Sequence, residues 1–202
     1  MSSIKRFARP LAGLGVLAFV ALPVYAQCGK PNCGKCAVDC KEVLKQMDAG
    51  KITAASMVSA AETASKGKAV GVHCTLEKGK MDCGVFALVG DKVQNVAIDA
   101  AGRAGKMEEA KDMKGMGDVA KAMDAAKLTM AKVLEAGEAH SKGKALAVTA
   151  KAAAGKASYE VYCLAGDKLQ NVKVDDAGKA TGMEEAKMLP GTEEKPKPKP
   201  GG

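Results

Sequence analysis

Cysteine is the residue type in this chain with the most chemistry to offer. All seven cysteines follow residue 26, and four of them lie within 13 residues: Cys28, Cys33, Cys36 and Cys40. Four thiolates at such short range could hold Zn²⁺ or Cu⁺. In an exported protein the same spacing favours two local disulfides. We expect disulfides here, with a Zn or Cu site as the alternative.

Two further uses of the same segment have less support. The Cys33-Gly34-Lys35-Cys36 motif has thiol-redox spacing, but no βαβ pattern surrounds it. The spacing of the first three cysteines also resembles an iron–sulfur pattern, which export in an unfolded state argues against. Outside this segment, Met113 and Met116 could add soft ligands for Cu⁺, although methionine more often fills apolar positions on a helix.

The other three cysteines fall in predicted strands. A hairpin centred on Lys78 and Gly79 places Cys74 opposite Cys83, on the same face of a sheet. We predict a disulfide between them, with two buried free thiols as the alternative. Cys163 lies in the middle of an apolar strand, which predicts a buried free thiol.

Composition argues against catalysis and against nucleic-acid binding. No nucleophile elbow, zinc-protease motif or phosphate loop occurs, so no enzyme activity and no cofactor are expected. After residue 26 the only aromatic residues are Phe86, Tyr159 and Tyr162, too few to stack bases. His73 and His140 are each predicted to be a solvated surface residue rather than a ligand.

The amino terminus has the three parts of a secretory signal. Lys5, Arg6 and Arg9 precede an apolar run from Leu11 to Leu22, and small residues end at Ala26. Residues 1–26 are therefore predicted to be cleaved, which leaves a periplasmic or secreted protein with no stable membrane anchor. Removing these three cations and no acids lowers the formal net charge from +8 to +5.

An internal repeat organises the rest of the chain. Residues 51–111 (repeat 1) align with residues 127–187 (repeat 2) at a constant offset of 76. The motifs Ser-Lys-Gly-Lys-Ala and Met-Glu-Glu-Ala-Lys both recur at that offset. Each repeat shows one amphipathic helix, with an N-cap at Thr53 or Thr129, followed by three strands of alternating hydrophobicity.

The predicted fold class is α+β, with two tandem small modules that each pack a helix on a three-stranded antiparallel sheet. The predicted boundaries are a signal peptide at 1–26, a Cys-rich segment with a short helix at 27–50, repeat 1 at 51–111, a helical connector at 112–126, repeat 2 at 127–189 and a Lys/Pro tail at 190–202. The tail, rich in Lys-Pro pairs, is expected to be disordered.

The repeats resemble the PepSY domain, a small module of peptidase propeptides and other exported bacterial proteins. The resemblance rests on residues 141–145, 159–162 and 172–179, and repeat 1 departs from it at Cys83 and Ala97. It implies a non-catalytic module that inhibits a peptidase or binds another extracytoplasmic protein, with no catalytic residues. The alternative is an extracytoplasmic metal-binding protein that uses the N-terminal cysteines.

Overall fold

The computed structural model describes residues 35–190, which form four α-helices and eight β-strands. The helices are α1 (Lys35–Gly50), α2 (Ala54–Ser65), α3 (Met116–Ala125) and α4 (Met130–Ser141). The strands are β1 (Lys68–Glu77), β2 (Lys80–Val89), β3 (Lys92–Ile98), β4 (Ala104–Glu109), β5 (Lys144–Ala153), β6 (Lys156–Ala165), β7 (Lys168–Val174) and β8 (Ala180–Glu185).

Helices α2 and α4 occupy matched positions in the two repeats, and the predicted threonines cap their amino-terminal ends. The Ser56 amide donates to Thr53 Oγ1 over 3.1 Å, and the Lys132 amide donates to Thr129 Oγ1 over 3.3 Å. Each bond satisfies one of the unpaired amides of a first helical turn. Both helices end on a lysine with a left-handed backbone, Lys66 at φ 53° and Lys142 at φ 57°.

The expectation of two separate modules, each with one helix on three strands, is wrong. All eight strands belong to one antiparallel sheet with the order β4-β3-β2-β1-β5-β6-β7-β8. The two repeats join through β1 and β5, where Val72 is opposite Val148. A strand at the edge of a sheet has unpaired backbone N–H and C=O groups. The pairing of β1 with β5 gives both strands a partner for these groups.

Two strands escaped prediction because their sequences give no strand signal. In β4 and β8 almost every residue is exposed, so neither strand has an alternating apolar face. Glycine and glutamate, which are uncommon in strands, make up half of each. Pairing with β3 and β7 holds these strands in place, with Met107 opposite Val96 and Met183 opposite Val172.

One face of the sheet is covered by α2 and α4. Met57 of α2 touches Cys74, and Gly137 of α4 lies directly against Val161. Met57, Cys74 and Val161 are almost fully buried. We call this side the helix face and the opposite side the open face. The apolar core lies on the helix face. The alternation of apolar residues in the first three strands of each repeat predicted such an apolar face.

The repeated pattern extends upstream of the predicted start of each repeat. Val43-x-Lys45-x-Met47-Asp48-Ala49 in α1 matches Val119-x-Lys121-x-Met123-Asp124-Ala125 in α3 at the same offset of 76. Val43, Met47, Val119 and Met123 are all buried. Each half of the structure is therefore a helix pair followed by four strands.

Candidate binding surface

The open face is made by the alternate side chains that project away from α2 and α4. In repeat 1 these include Gly71 and His73 of β1, Gly84 and Phe86 of β2, and Asn95 of β3. Their matched residues in repeat 2 are Ala147, Thr149, Glu160, Tyr162 and Asn171. Phe86 and Tyr162 are both half-buried. They lie on β2 and β6, three strand spacings or about 14 Å apart.

In repeat 1 the open face is a compact cluster around a glycine. The His73 and Phe86 rings have centroids 5.2 Å apart. A Cβ atom at Gly84 would lie 2.5 Å from His73 Cε1 and 2.4 Å from Asn95 Oδ1. A side chain at this position would therefore push the two neighbours apart. Gly84 allows His73 and Asn95 to close over the strand.

The environment of His73 differs from the predicted one. The sequence predicted a solvated histidine, and this is wrong because the side chain is largely buried beside Phe86. Burial lowers the pKa of His73, and the carboxylate of Asp82 opposes that shift in part. Burial therefore favours the neutral imidazole of His73. His140, the other histidine, is exposed on α4.

The open face of repeat 2 is more polar. The Tyr162 hydroxyl donates to Glu160 Oε2 over 3.2 Å, and Lys151 Nζ lies 3.8 Å from Glu160 Oε1. Lys173 Nζ lies 3.3 Å from Glu184 Oε1. The matched positions of repeat 1 hold uncharged Gly84 and Ala97 where repeat 2 has Glu160 and Lys173. The duplicated halves thus share an aromatic residue and an asparagine but differ in charge.

The structure forms the predicted bridge between Cys74 and Cys83. The two Cα atoms are 4.2 Å apart, and the residues are directly opposite in the register of β1 and β2. Both side chains are on the helix face, where Met57 Sδ lies 3.8 Å from Cys74 Sγ. At the matched positions repeat 2 pairs Ala150 with Tyr159. The disulfide is therefore a buried crosslink within repeat 1 and does not contribute to the open face.

Cys163 has a free, fully buried thiol on β6. Burial raises its pKa to about 11, a shift that the Ser141 hydroxyl opposes and the Glu138 carboxylate reinforces. Since a thiolate is the reactive form, this thiol is inert at neutral pH. Tyr159 is a second buried acid, and burial together with Asp176 raises its pKa to about 12.

Two of the four N-terminal cysteines lie outside the described part of the chain. Cys28 and Cys33 precede residue 35, and Cys36 lies in α1 at a position whose side chain is not described. Cys40 is 2% exposed and belongs to the core beside Val43 and Met47. Among the side chains that the structure describes, no group of three or more His, Cys, Asp or Glu is arranged around a metal position.

The two edges of the sheet are short and charged. Lys106 and Glu108 form an ion pair on β4, and the hydrogen bond and charge of Glu108 raise the pKa of Lys106. Lys92 bridges to Glu109, and Lys168 bridges to Glu185 at the matched edge. Six-residue strands with charged side chains discourage pairing with another sheet.

Comparisons with known proteins assign no family. No protein-family model matches the chain, and no curated protein matches it. Among solved structures, a protein from Clostridium difficile 630 described as a putative lipoprotein is similar over 62% of this chain and 87% of its own. Its identity is 15% and the TM-score is 0.38, a likeness too weak to assign a function. Within residues 35–190, no helix is long and apolar enough to cross a membrane.

Proposed function

We propose that the chain is an exported, non-catalytic binding protein that engages a protein partner through the open face of its sheet. The signal-like residues 1–26 support export to the periplasm or the medium. The single observation that carries the binding role is the placement of Phe86 and Tyr162. They are two of the three aromatic residues between 35 and 190, and both lie half-buried on this face, on the strands β2 and β6.

Such an arrangement has the composition of a protein-binding surface. Aromatic side chains are enriched at the centres of interfaces, because they bury much area while losing little conformational entropy. In repeat 2, on the side of Tyr162, lie polar groups that already pair with each other, Lys151 with Glu160 and Lys173 with Glu184. A polar rim around an aromatic centre excludes water once the partner is seated.

The open face is a better docking surface than either sheet edge. An edge strand binds by extending the sheet, which requires a regular row of free backbone groups. Both edges here are only six residues long and carry ion pairs such as Lys106 with Glu108. The open face instead spans eight strands and needs no rearrangement of the backbone.

Peptidase inhibition is the more specific role that the PepSY resemblance implies, and it stays a prediction. Binding of Zn or Cu by Cys28, Cys33, Cys36 and Cys40 also stays a prediction, because Cys28 and Cys33 lie outside the described residues and the side chain of Cys36 is not described. Partner binding is placed first because the aromatic residues Phe86 and Tyr162 lie on the open face, whereas Cys40 is buried in the core.

Site-specific photocrosslinking tests the proposed surface. A benzophenone amino acid replaces Phe86 in the mature protein, which is then mixed with the extracytoplasmic fraction of the producing organism and irradiated. We expect one dominant crosslinked partner whose yield falls when excess unlabelled protein is added. The isolated partner is then titrated with the unlabelled protein, and a peptidase partner would lose activity at stoichiometric amounts.

A matched control places the same crosslinker at Lys132, which is exposed on the outer side of α4. The Tyr162→Ser variant, crosslinked from position 86, should lose at least about tenfold in yield, because an aromatic anchor is worth about 1.4 kcal/mol or more. Equal crosslinking from positions 86 and 132, or an unchanged yield in Tyr162→Ser, would contradict binding through the open face.

A further inference from the structure

The methionines of this chain differ in exposure, and four of them, Met81, Met113, Met116 and Met188, are half-buried. Ten of the 11 follow residue 34, and four of these are buried, Met47 at 2% and Met57, Met123 and Met130 at 0%. Met107 and Met183 are each 47% exposed. Among residues 35–190 they are the only large hydrophobic side chains that are exposed.

The two exposed methionines occupy matched positions at the two ends of the sheet. Met107 lies on β4 and Met183 on β8, and each has a neighbouring strand on one side only. The residues that follow each of them are exposed glutamates. A small oxidant in solution therefore reaches both side chains directly, whereas Met57 and Met130 are reached only when the structure opens.

We infer that Met107 and Met183 are a pair of oxidant-reactive sites that consume peroxides without damage to the fold. In the reaction a sulfur lone pair attacks hydrogen peroxide, an S–O bond forms, the O–O bond breaks and water leaves. The thioether is oxidised by two electrons to the sulfoxide, and the peroxide is reduced to water. Methionine sulfoxide reductases can return the sulfoxide to the thioether.

The consequence of oxidation depends on where the added oxygen goes. At Met107 and Met183 the sulfoxide oxygen enters a region that water already reaches, so no polar group is buried. At Met57 the same oxygen would enter the core beside the Cys74–Cys83 disulfide, since Met57 Sδ lies 3.8 Å from Cys74 Sγ. A buried polar group without a partner is costly. This inference is independent of the proposed binding function.

Peptide-resolved mass spectrometry of the native protein treated with hydrogen peroxide tests the inference. We expect Met107 and Met183 to gain one oxygen atom at rates within about twofold of each other. Met57, Met123 and Met130 should react at least about tenfold more slowly, because their oxidation requires opening. In guanidinium chloride, all ten methionines should react at similar rates.

The Met107→Leu/Met183→Leu variant keeps the apolar side chains and removes the two sulfur atoms. With two equivalents of peroxide per chain, we expect this variant to consume peroxide more slowly than the natural chain, while its thermal unfolding midpoint is unchanged. The inference is overturned if Met57 or Met130 reacts as fast as Met107 in the native protein. It is also overturned if oxidation confined to Met107 and Met183 lowers the unfolding midpoint.

Discussion

Lys68 of β1 forms an ion pair with Asp124 of α3, which ties the first strand of one repeat to the first helix of the other. The matched pair exists at the offset of 76, between Lys144 of β5 and Asp48 of α1. The two halves thus exchange equivalent contacts across the centre of the sheet. The helices α1 and α3 therefore follow the same offset of 76 in their contacts as in their sequences.

These two ion pairs should contribute little free energy. The side chains of Asp124, Lys144 and Asp48 are more than half exposed, and water screens such charges. Double-mutant cycles with alanine at Lys68 and Asp124, measured by urea unfolding, should give a coupling free energy of about 0.5 kcal/mol. The cycle at Lys144 and Asp48 should give a smaller value, because Lys144 is more exposed than Lys68. A coupling above about 1.5 kcal/mol at either pair would refute the screening argument.

Removing the disulfide should destabilise the whole sheet. We expect Cys74→Ala/Cys83→Ala to lower the free energy of unfolding by about 2–3 kcal/mol, the loop-closure value for a short crosslink. Because β1 and β5 join the repeats, the loss should appear in one cooperative transition followed by circular dichroism. Two separate transitions would show instead that the repeats unfold independently. Cys163→Ala serves as the control for loss of a buried sulfur outside the bridge.

The left-handed lysines offer a stabilising change. Lys66 and Lys142 end α2 and α4 at φ 53° and 57°, a backbone conformation that costs a residue with a Cβ atom about 1 kcal/mol. Lys66→Gly and Lys142→Gly should each raise the free energy of unfolding by up to about 1 kcal/mol. Lys66→Ala, which removes the charge but keeps the Cβ atom, should give no such gain in chemical denaturation.

Gly137 should resist substitution even though it lies within a helix. A Cβ atom at this position would lie 2.7 Å from Val161 Cβ, so α4 would have to move away from the sheet. Gly137→Ala should destabilise by about 1–2 kcal/mol, since overpacking outweighs the better helix propensity of alanine. Gly117→Ala in α3, where a Cβ atom meets nothing within 4 Å, is the control and should leave stability unchanged or raised. Equal effects at both positions would contradict the packing argument.

The Cys163 thiol predicts a specific pH dependence. Its pKa is raised from 9.0 to about 11 in the folded state, so the folded protein holds this proton more tightly than the unfolded chain. The natural chain should therefore lose stability relative to Cys163→Ala as the pH rises from 9 to 11, by up to about 2–3 kcal/mol. Repeat 1 already carries alanine at the matched position, Ala87, so this variant should fold. A constant difference between the two proteins across this range would disprove the assignment.

Much of each repeat could be predicted from the residues because its signals are local. The threonine caps define the starts of α2 and α4, and alternation defines the first three strands. The position of the turn at Lys78 and Gly79 also determines which cysteines are opposite. Each of these features depends on neighbours within about ten residues along the chain.

Other features depend on contacts distant in sequence and could not be predicted in this way. The pairing of β1 with β5 joins residues 76 positions apart, and nothing within either strand specifies its partner. The edge strands β4 and β8 have no pattern of their own. His73 alternates with apolar residues as a solvated residue would, and it is buried by Phe86 and Gly84 of the adjacent strand, which the pattern of β1 alone does not reveal.

The order of the strands limits how many copies of this unit one sheet can contain. Each copy joins the other through its first strand, and the outer strands β4 and β8 end in charged, exposed residues. A third copy would have no unpaired first strand to join, so one sheet contains two copies. A chain with one copy would leave its first strand unpaired, and two such chains could restore the sheet as a symmetric dimer. The duplication has made permanent, within one polypeptide, an association that two separate molecules could otherwise lose by dilution.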